Sequence, residues 1–251
     1  MIQLRGVSKS YGDKVAVSGL DLEVRDGEIF GFLGPNGAGK TTTIKMISGL
    51  LRPDKGTALV NGIDVRQEPL RAKRCMAYVP DNPDVYEKLT GYQFINFIAD
   101  AYGVPPEERR RRCADLARTF ELEDALGDLI ESYSHGMRQK VVLISALVHA
   151  PRIWVLDEPL VGLDPRAAFV LKGMMREHAD AGNTVFFSTH VLEVAERLCD
   201  RVGVIVKGQL VACGTLDQLR SESGESLESV FLELVNGEAP RGGSDVSVVS
   251  G

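Results

Sequence analysis

The sequence predicts an α/β fold in which a block of helices interrupts a core of strands and helices. Short apolar segments with strand character alternate with helical segments around this block, and a glycine-rich turn joins one strand to a helix. Hydrophobic residues make up 44% of the 251 residues and charged residues 25%, which is typical of a globular protein. A chain of this length is expected to bury a substantial core without disulfides.

Charge and cysteine spacing argue against two classes of function. The net charge of −6 is unlike that of a protein that binds nucleic acid mainly by electrostatics, so no nucleic-acid partner is expected. None of the four cysteines stands at CxxC spacing, so neither a zinc site nor a redox motif is indicated. The longest apolar run, near residues 141–148, is too short to cross a membrane. Any membrane-spanning part is therefore expected to come from a partner.

The first sixty residues are rich in strand signals. Alternating apolar and polar residues predict half-buried strands at residues 2–4 and 20–24, and an apolar run predicts a buried strand at 28–33. The glycine-rich turn follows this strand directly. Helix-favouring residues then predict a helix over residues 40–51, which Pro53 is expected to stop.

The middle of the chain, from about residue 90 to 150, has helical spacing and almost no strand signal. Pro105 and Pro106, followed by two glutamates, predict the start of one helix. A second helix is expected to begin at Ser134. Apolar residues follow it at helical spacing: Met137, Val141, Ile144 and Val148.

Strands and helices alternate again in the last third of the sequence. Strands are predicted at 153–156 and 184–187 and helices at 166–180 and 191–198, a pattern that favours parallel strands with crossover helices. Residues 202–206 and 209–213 are expected to form a closing hairpin. We therefore predict one domain over residues 1–235, with a helical subdomain at about 86–150. The Gly/Ser-rich residues 236–251 are expected to be a disordered tail.

The glycine-rich turn reads Gly34-Pro35-Asn36-Gly37-Ala38-Gly39-Lys40-Thr41 and matches the P-loop pattern G-x-x-x-x-G-K-[S/T]. Glycines let the backbone wrap closely around phosphates, and the helix N-terminus adds the positive end of a dipole. Lys40 is expected to reach the β- and γ-phosphates. Thr41, with Thr42 beside it, is expected to place its hydroxyl on Mg²⁺. The motif predicts a nucleoside triphosphate as ligand.

Two carboxylates, Asp157 and Glu158, follow an apolar strand. The carboxyl end of such a strand is expected to lie beside the P-loop. Asp157 is then suited to hold Mg²⁺, and Glu158 to accept a proton from attacking water. Adjacent strand residues face opposite ways, which predicts different roles for the two carboxylates. A surface Asp-Glu turn is the alternative.

Further motifs together resemble one family. The run Ser132-Tyr133-Ser134-His135-Gly136-Met137-Arg138-Gln139-Lys140 resembles the signature motif of ATP-binding cassette (ABC) ATPases. Gly162-Leu163-Asp164 resembles their D-loop, and Ser188-Thr189-His190 their switch histidine. Tyr11 resembles the aromatic residue that stacks on adenine. The segment 78–90 is similar to the single-cassette subunits of bacterial exporters.

The resemblance implies a P-loop NTPase core of mostly parallel sheet, with an N-terminal antiparallel β subdomain and an inserted helical subdomain. It also implies ATP with Mg²⁺ at the P-loop, and Lys40, Glu158 and His190 as the catalytic residues. The signature residues Ser134, His135 and Gly136 would contact ATP held by a second cassette, and Asp164 would couple the two sites.

The family's partners follow from the same resemblance. A second ABC cassette, identical or different, and a multi-span membrane permease are implied. The chain would then sit at the cytoplasmic face of the cell membrane and power transport, with export as the implied direction.

Two positions depart from the family pattern. Asp81 stands where the family usually has a glutamine that contacts Mg²⁺, and a carboxylate there is expected to bind the metal more strongly but to repel the γ-phosphate. His135 places a side chain where a glycine usually allows close approach. Both departures bear on the rate of hydrolysis.

Alternatives stay open at this point. The chain is also compatible with a non-transport ABC ATPase that works on ribosomes or DNA, although it lacks the tandem cassettes or coiled coils of such proteins. A weakly hydrolysing cassette with a regulatory role is the other alternative, which Asp81 and His135 keep open. The four arginines at 109–112 are interpreted as a solvated helix face, with docking to a partner or anionic lipid as the alternative.

Overall fold

The computed structural model describes residues 1–82, 84–221 and 231, so the predicted tail at 236–251 lies outside the described residues. The strands in the described part are β1 (Ile2–Tyr11), β2 (Lys14–Val24), β3 (Ile29–Leu33), β4 (Lys55–Val60), β5 (Ile63–Asp64), β6 (Met76–Val79), β7 (Ile153–Asp157), β8 (Thr184–Thr189), β9 (Arg201–Val206) and β10 (Gln209–Gly214). The α-helices there are α1 (Lys40–Ile47), α2 (Pro69–Arg74), α3 (Gly91–Ala101), α4 (Pro106–Thr119), α5 (His135–Leu147), α6 (Pro165–Asp180), α7 (Leu192–Leu198) and α8 (Leu216–Ser221).

These strands form two sheets. The 4-stranded sheet has the order β2-β1-β4-β5 and is antiparallel throughout. The 6-stranded sheet has the order β10-β9-β3-β8-β7-β6, and only its β9–β10 pair is antiparallel. The α/β fold with a mostly parallel sheet and an N-terminal antiparallel sheet is therefore confirmed. Because β3, β8 and β7 are parallel neighbours, their carboxyl ends meet at one edge.

Helices α3, α4 and α5 fill the chain between β6 and β7, with two 3₁₀ turns at Glu123–Ala125 and Ile130–Ser132. A capping box starts α3, because Thr90 Oγ1 accepts from the Gln93 amide at 3.2 Å and Gln93 Oε1 accepts from the Thr90 amide at 2.9 Å. Helix α5 starts where the sequence places it, after Ser134, whose side chain accepts from the Met137 amide.

The core lies on both faces of the parallel sheet. Every residue of β3, β7 and β8 is buried, which explains their nearly continuous apolar sequences. Phe30 and Phe186 on neighbouring strands stack with ring centroids 5.9 Å apart. Trp154 of β7 packs in the core as expected, and its ring stacks on His178 at 4.2 Å.

Helix α1 is shorter than the sequence predicts, because it ends at Ile47 and not at residue 51. Gly49 adopts a left-handed φ of +65°. The amides of Leu50 and Leu51 both donate to the Lys45 carbonyl at 2.9 Å. A left-handed glycine thus closes the helix before Pro53 is reached.

The four consecutive arginines of α4 do not form one solvated face, which corrects the interpretation from sequence. Arg110 is exposed. Arg109 and Arg112 are half-buried; Arg109 pairs with Asp100 of α3, and Arg112 Nη1 donates to the Val148 carbonyl at 3.2 Å. Two of the four charges therefore join helices within the chain.

His149 follows α5 and lies largely inside the protein. Its ring stacks on Tyr102 with centroids 3.8 Å apart, and Nε2 lies 3.2 Å from the Met76 carbonyl, to which it can only donate. Burial lowers the pKa of His149 to about 4, opposed by the bond to Met76 and assisted by the charge of Arg112. The imidazole is therefore neutral at physiological pH.

The free energy of unfolding should fall as the pH drops from 7 to 5, partly because of His149. The folded pKa of about 4 lies below the ordinary value of 6.5, so the unfolded chain takes up the proton first. This linkage removes up to about 2 kcal/mol over that interval. His149→Gln keeps a donor for Met76 but does not titrate, so urea denaturation at both pH values should show a smaller loss. An equal loss in the variant would contradict the assignment.

Candidate functional site

The loop between β3 and α1 approaches neighbouring backbone so closely that glycine is required at two positions. A Cβ on Gly34 would lie 2.4 Å from the Ile205 carbonyl oxygen. Gly39 has a φ of +112°, and a Cβ there would lie 2.6 Å from the Ala16 oxygen. The loop is therefore packed tightly against neighbouring backbone, and it leads directly into the N-terminus of α1, where free amides favour anion binding.

Lys40, the first residue of α1, points back into this loop and is 7% exposed. Its Nζ donates to the Gly34 carbonyl at 2.7 Å and to the Pro35 carbonyl at 3.3 Å. Glu158 Oε1 lies 3.4 Å from the same Nζ. A nearly buried ammonium needs such oxygen partners, and phosphate oxygens are equally suited to it.

The two carboxylates diverge for a different reason from the one predicted. Asp157 is the last residue of β7, but Glu158 lies outside the strand with a left-handed φ of +47°. Strand alternation therefore does not orient Glu158, and the backbone turn does. A glutamate in this conformation is unfavourable and persists only because its surroundings hold it there.

Ser188, near the end of β8, bonds to the carboxylate of Asp157 and to the backbone of Glu158. Its Oγ donates to Asp157 Oδ1 at 2.6 Å and accepts from the Glu158 amide at 3.0 Å. In the sequence, Ser188 stands out only as part of the histidine motif, and no role is predicted for it. Its position at the carboxyl end of an apolar strand, as for Asp157, is the signal that was available.

Asp157 is 1% exposed, and burial raises the pKa of its carboxyl. Hydrogen bonds from Ser188 and Thr41 oppose that rise, whereas the charges of Asp81 and Glu158 add to it. Burial and the charges of Asp157 and Asp81 raise the pKa of Tyr78 to about 12. Asp157 Oδ2 is buried and has no hydrogen-bond partner among the described residues. Acidic side chains thus lie close together, and Asp157 Oδ2 among them is left free to bind a cation.

His190 lies on the other side of Glu158, directly after β8. Its Nδ1 is 3.1 Å from Glu158 Oε2. An ionised carboxylate only accepts, so Nδ1 carries the proton of this bond. Lys40, Glu158 and His190 therefore form a continuous chain of contacts.

An open cleft of about 260 Å³ lies over this group. The cleft is lined by loop residues, by the strand ends and by the β1–β2 turn: Tyr11, Lys14, Ala16, Pro35, Asn36, Gly37, Gly39, Lys40, Thr41, Thr42, Asp81 and Glu158. Tyr11 stands half exposed at its edge, as a stacking platform requires. Lys14 and Ala16 were not anticipated from the sequence. Gly34 and Ala38, also predicted as ligand-binding residues, do not line the cleft.

The other predicted residues do not join this cleft. Ser134, His135 and Gly136 lie at the start of α5, and Asp164 caps the start of α6 by accepting from the Ala167 amide at 2.8 Å. None of the four lines the cleft. The chain therefore carries two separate groups of predicted residues.

Comparisons with known proteins agree on one family. The family model described as "ABC transporter" matches residues 17–161. A daunorubicin/doxorubicin resistance ATP-binding protein, DrrA of Streptomyces peucetius, is 41% identical over 226 residues, which cover 90% of this chain and 68% of that protein. The linearmycin resistance ATP-binding protein LnrL of Bacillus subtilis is 37% identical over 224 residues, with 89% and 72% covered.

A solved structure extends the agreement to the whole fold. The chain is similar to an ATP-binding subunit of an ABC transporter with a TM-score of 0.89 and 36% identity, over 93% of this chain and 99% of that one. Among the described residues, no helix is long and apolar enough to cross a membrane.

Replacing Ser188 with alanine should destabilise the strand ends. The change leaves Asp157 Oδ1 and the Glu158 amide without their partner in a buried place, which is expected to lower the free energy of unfolding by about 1–3 kcal/mol. Ser145→Ala is the matched control, because Ser145 is also buried but donates to the Val142 carbonyl of its own helix. Chemical denaturation should show a clearly larger loss for Ser188→Ala; equal losses would contradict the role of Ser188.

Proposed function

The chain belongs to the ABC transporter family, and we propose that it is the subunit that binds and hydrolyses ATP to drive export through a separate membrane-spanning partner. The observation that carries the proposal is the chain of contacts from Lys40 through Glu158 to His190 at the mouth of a glycine loop. These groups are what phosphoryl transfer to water requires: a cation for the phosphates, a base and an orienting partner.

The cleft offers contacts for both ends of ATP, the phosphates and the adenine ring. Lys40 would exchange the carbonyls of Gly34 and Pro35 for β- and γ-phosphate oxygens. Loop amides at the start of α1 would hold the remaining phosphate oxygens. Tyr11 would stack on the adenine ring at the open edge.

Mg²⁺ fits the donor atoms below the cleft. Asp157 Oδ2 is buried without a partner among the described residues, and the Thr41 hydroxyl lies near enough to lower the pKa of the same carboxyl. Carboxylate and hydroxyl oxygens are the ligands that Mg²⁺ prefers, with phosphate and water completing its shell. We propose Thr41 and Asp157 as ligands, with Asp81 as the third oxygen donor near them. Bound there, Mg²⁺ would offset the charge of the β- and γ-phosphates.

Glu158 is suited to accept the proton of attacking water. Its Oε1 faces Lys40 and its Oε2 faces His190, so both oxygens are oriented before the substrate arrives. His190 would keep Glu158 in place and sense the γ-phosphate. Orientation of a base in advance lowers the barrier, since no reorganisation is needed during reaction.

A second cassette would supply the other half of each site. Ser134, His135, Gly136 and Asp164 lie away from the cleft of their own chain and lie near a helix N-terminus. We propose that they contact ATP held by a second ABC cassette, with the backbone amides of α5 facing its γ-phosphate. A pair of cassettes, identical or different, is then the working unit.

Export is the direction that the relatives favour. Both reported relatives are named for resistance to compounds that act against cells, and removal of such compounds is one way to resist them. In this proposal the chain sits at the cytoplasmic face of the membrane, bound to a multi-span permease.

Lys40→Ala should abolish ATP binding at micromolar nucleotide, because the phosphates lose their only nearly buried counter-charge in the described cleft. Lys45→Ala, on the exposed side of the same helix, is the matched control and should bind normally. Calorimetric titration with ATP and Mg²⁺ measures both. Full binding and ATPase activity in Lys40→Ala would remove the phosphate assignment.

Glu158→Gln should trap an ATP-bound pair of cassettes. Glutamine keeps the shape but cannot take a proton near neutral pH, so turnover should slow by roughly 10²–10⁴-fold while ATP still binds. Size-exclusion chromatography with ATP and Mg²⁺ should then show a dimer that wild type does not retain. Glu193→Gln, at an exposed site of α7, should behave as wild type. Wild-type turnover in Glu158→Gln would exclude Glu158 as the base.

A further inference from the structure

The start of α5 lies directly against the turn that follows Glu158. A Cβ on Gly162 would lie 2.4 Å from Cδ2 and 2.5 Å from Nε2 of His135, so the imidazole edge rests on the bare α-carbon of this glycine. A Cβ on Gly136 would lie 2.9 Å from the Gly162 carbonyl oxygen. The backbone at the start of α5 therefore lies close to the backbone at Gly162, and the His135 imidazole packs over this contact.

An ion pair joins the same two segments one helical turn further on. Lys140 Nζ lies 2.7 Å from Asp164 Oδ2. The Lys140 bond and the Ala167 amide lower the pKa of Asp164. The Asp164 carboxylate thus contacts α5 and α6 together.

The turn itself is short and internally bonded. The Val161 amide donates to the Glu158 carbonyl at 3.0 Å, and the Leu163 amide to the Leu160 carbonyl at 3.4 Å. Its first residue is Glu158, whose φ is left-handed. The turn therefore connects Glu158 to Gly162, and Gly162 contacts His135.

We infer that His135 is a positioning residue that fixes the segment Ser134–Gly136 to the turn after Glu158 of the same chain. The inference rests on the proposed function. Through this contact, the position of Glu158 in the chain's own ATP site would set the position of Ser134–Gly136, the segment that faces the second cassette. The His135 imidazole acts through its contact with the backbone of Gly162 and not through the P-loop. Without its ring, the segment would still be joined to the turn by the partly exposed Lys140–Asp164 pair and the Gly136 contact, of which an exposed ion pair contributes little.

Steady-state ATPase kinetics of the purified full chain test this link. His135→Gly should raise KM for ATP about tenfold, equivalent to about 1.4 kcal/mol, with kcat within twofold of wild type. Affinity for a fluorescent ATP analogue without Mg²⁺, which reports the P-loop of the single chain, should not change. His135→Gln, with a planar side chain of similar reach, should restore most of the KM. Glu107→Gly, an exposed change in the first turn of α4, controls for glycine in a helix start.

A double-mutant cycle makes the contact itself measurable. Gly162→Ala should raise KM strongly in the wild-type background, where the new methyl meets the imidazole. In the His135→Gly background the same change should cost less, because only the backbone strain at φ +80° remains.

Three outcomes would overturn the inference: an unchanged KM in both His135 variants, equal effects of Gly162→Ala in both backgrounds, or parallel loss of analogue binding. Each would leave hydrolysis by Lys40 and Glu158 standing, so failure of this inference and failure of the proposed function are separable. If His135→Gly does not fold by circular dichroism, His135→Ala, which also removes the imidazole, takes its place in the KM comparison and in the double-mutant cycle.

Discussion

An ammonium group that is withdrawn from water must be surrounded by oxygen atoms. Lys40 carries such a group, next to the central strands of the parallel sheet. The glycine at position 34 lets the chain bring carbonyls within reach, and Glu158 supplies the opposing charge from the next strand but one. His190 hydrogen-bonds to the second oxygen of that carboxylate. Phosphate oxygens can take the place of these carbonyls around the ammonium, so the loop is suited to a phosphate ligand.

The order β3-β8-β7 brings the segments that carry these groups to neighbouring strand ends. The loop after β3, Ser188 of β8 and Asp157 of β7 occupy three adjacent strand ends. Ser188 lies between them and bonds to both neighbouring acidic residues. Ser188 of the middle strand, β8, thus fixes both acidic residues relative to the sheet.

Sequence patterns predicted the parts of the site that are encoded locally. The P-loop is one continuous run of residues, and so is the acidic pair. Residue types and spacing within each run are therefore enough to predict it. The conformation of Glu158 was not predictable, because a left-handed φ in a glutamate is imposed by the neighbouring strand and turn. The bond from Arg112 to Val148 joins residues 36 positions apart, and no local pattern distinguishes such an arginine from a solvated one. The roles of Ser134 and Asp164 remain predictions, since one chain alone does not bring them to the cleft.

The stack of Trp154 on His178 has an optical consequence. Trp154 is the only tryptophan of the chain, so its emission comes from one known place. That place is a fully buried strand, three residues and roughly 10 Å along the backbone from Asp157. Indole emission responds to the polarity and the packing of its surroundings. The protein therefore carries an intrinsic fluorophore next to the acidic end of β7, and movements there can be followed in real time without a label.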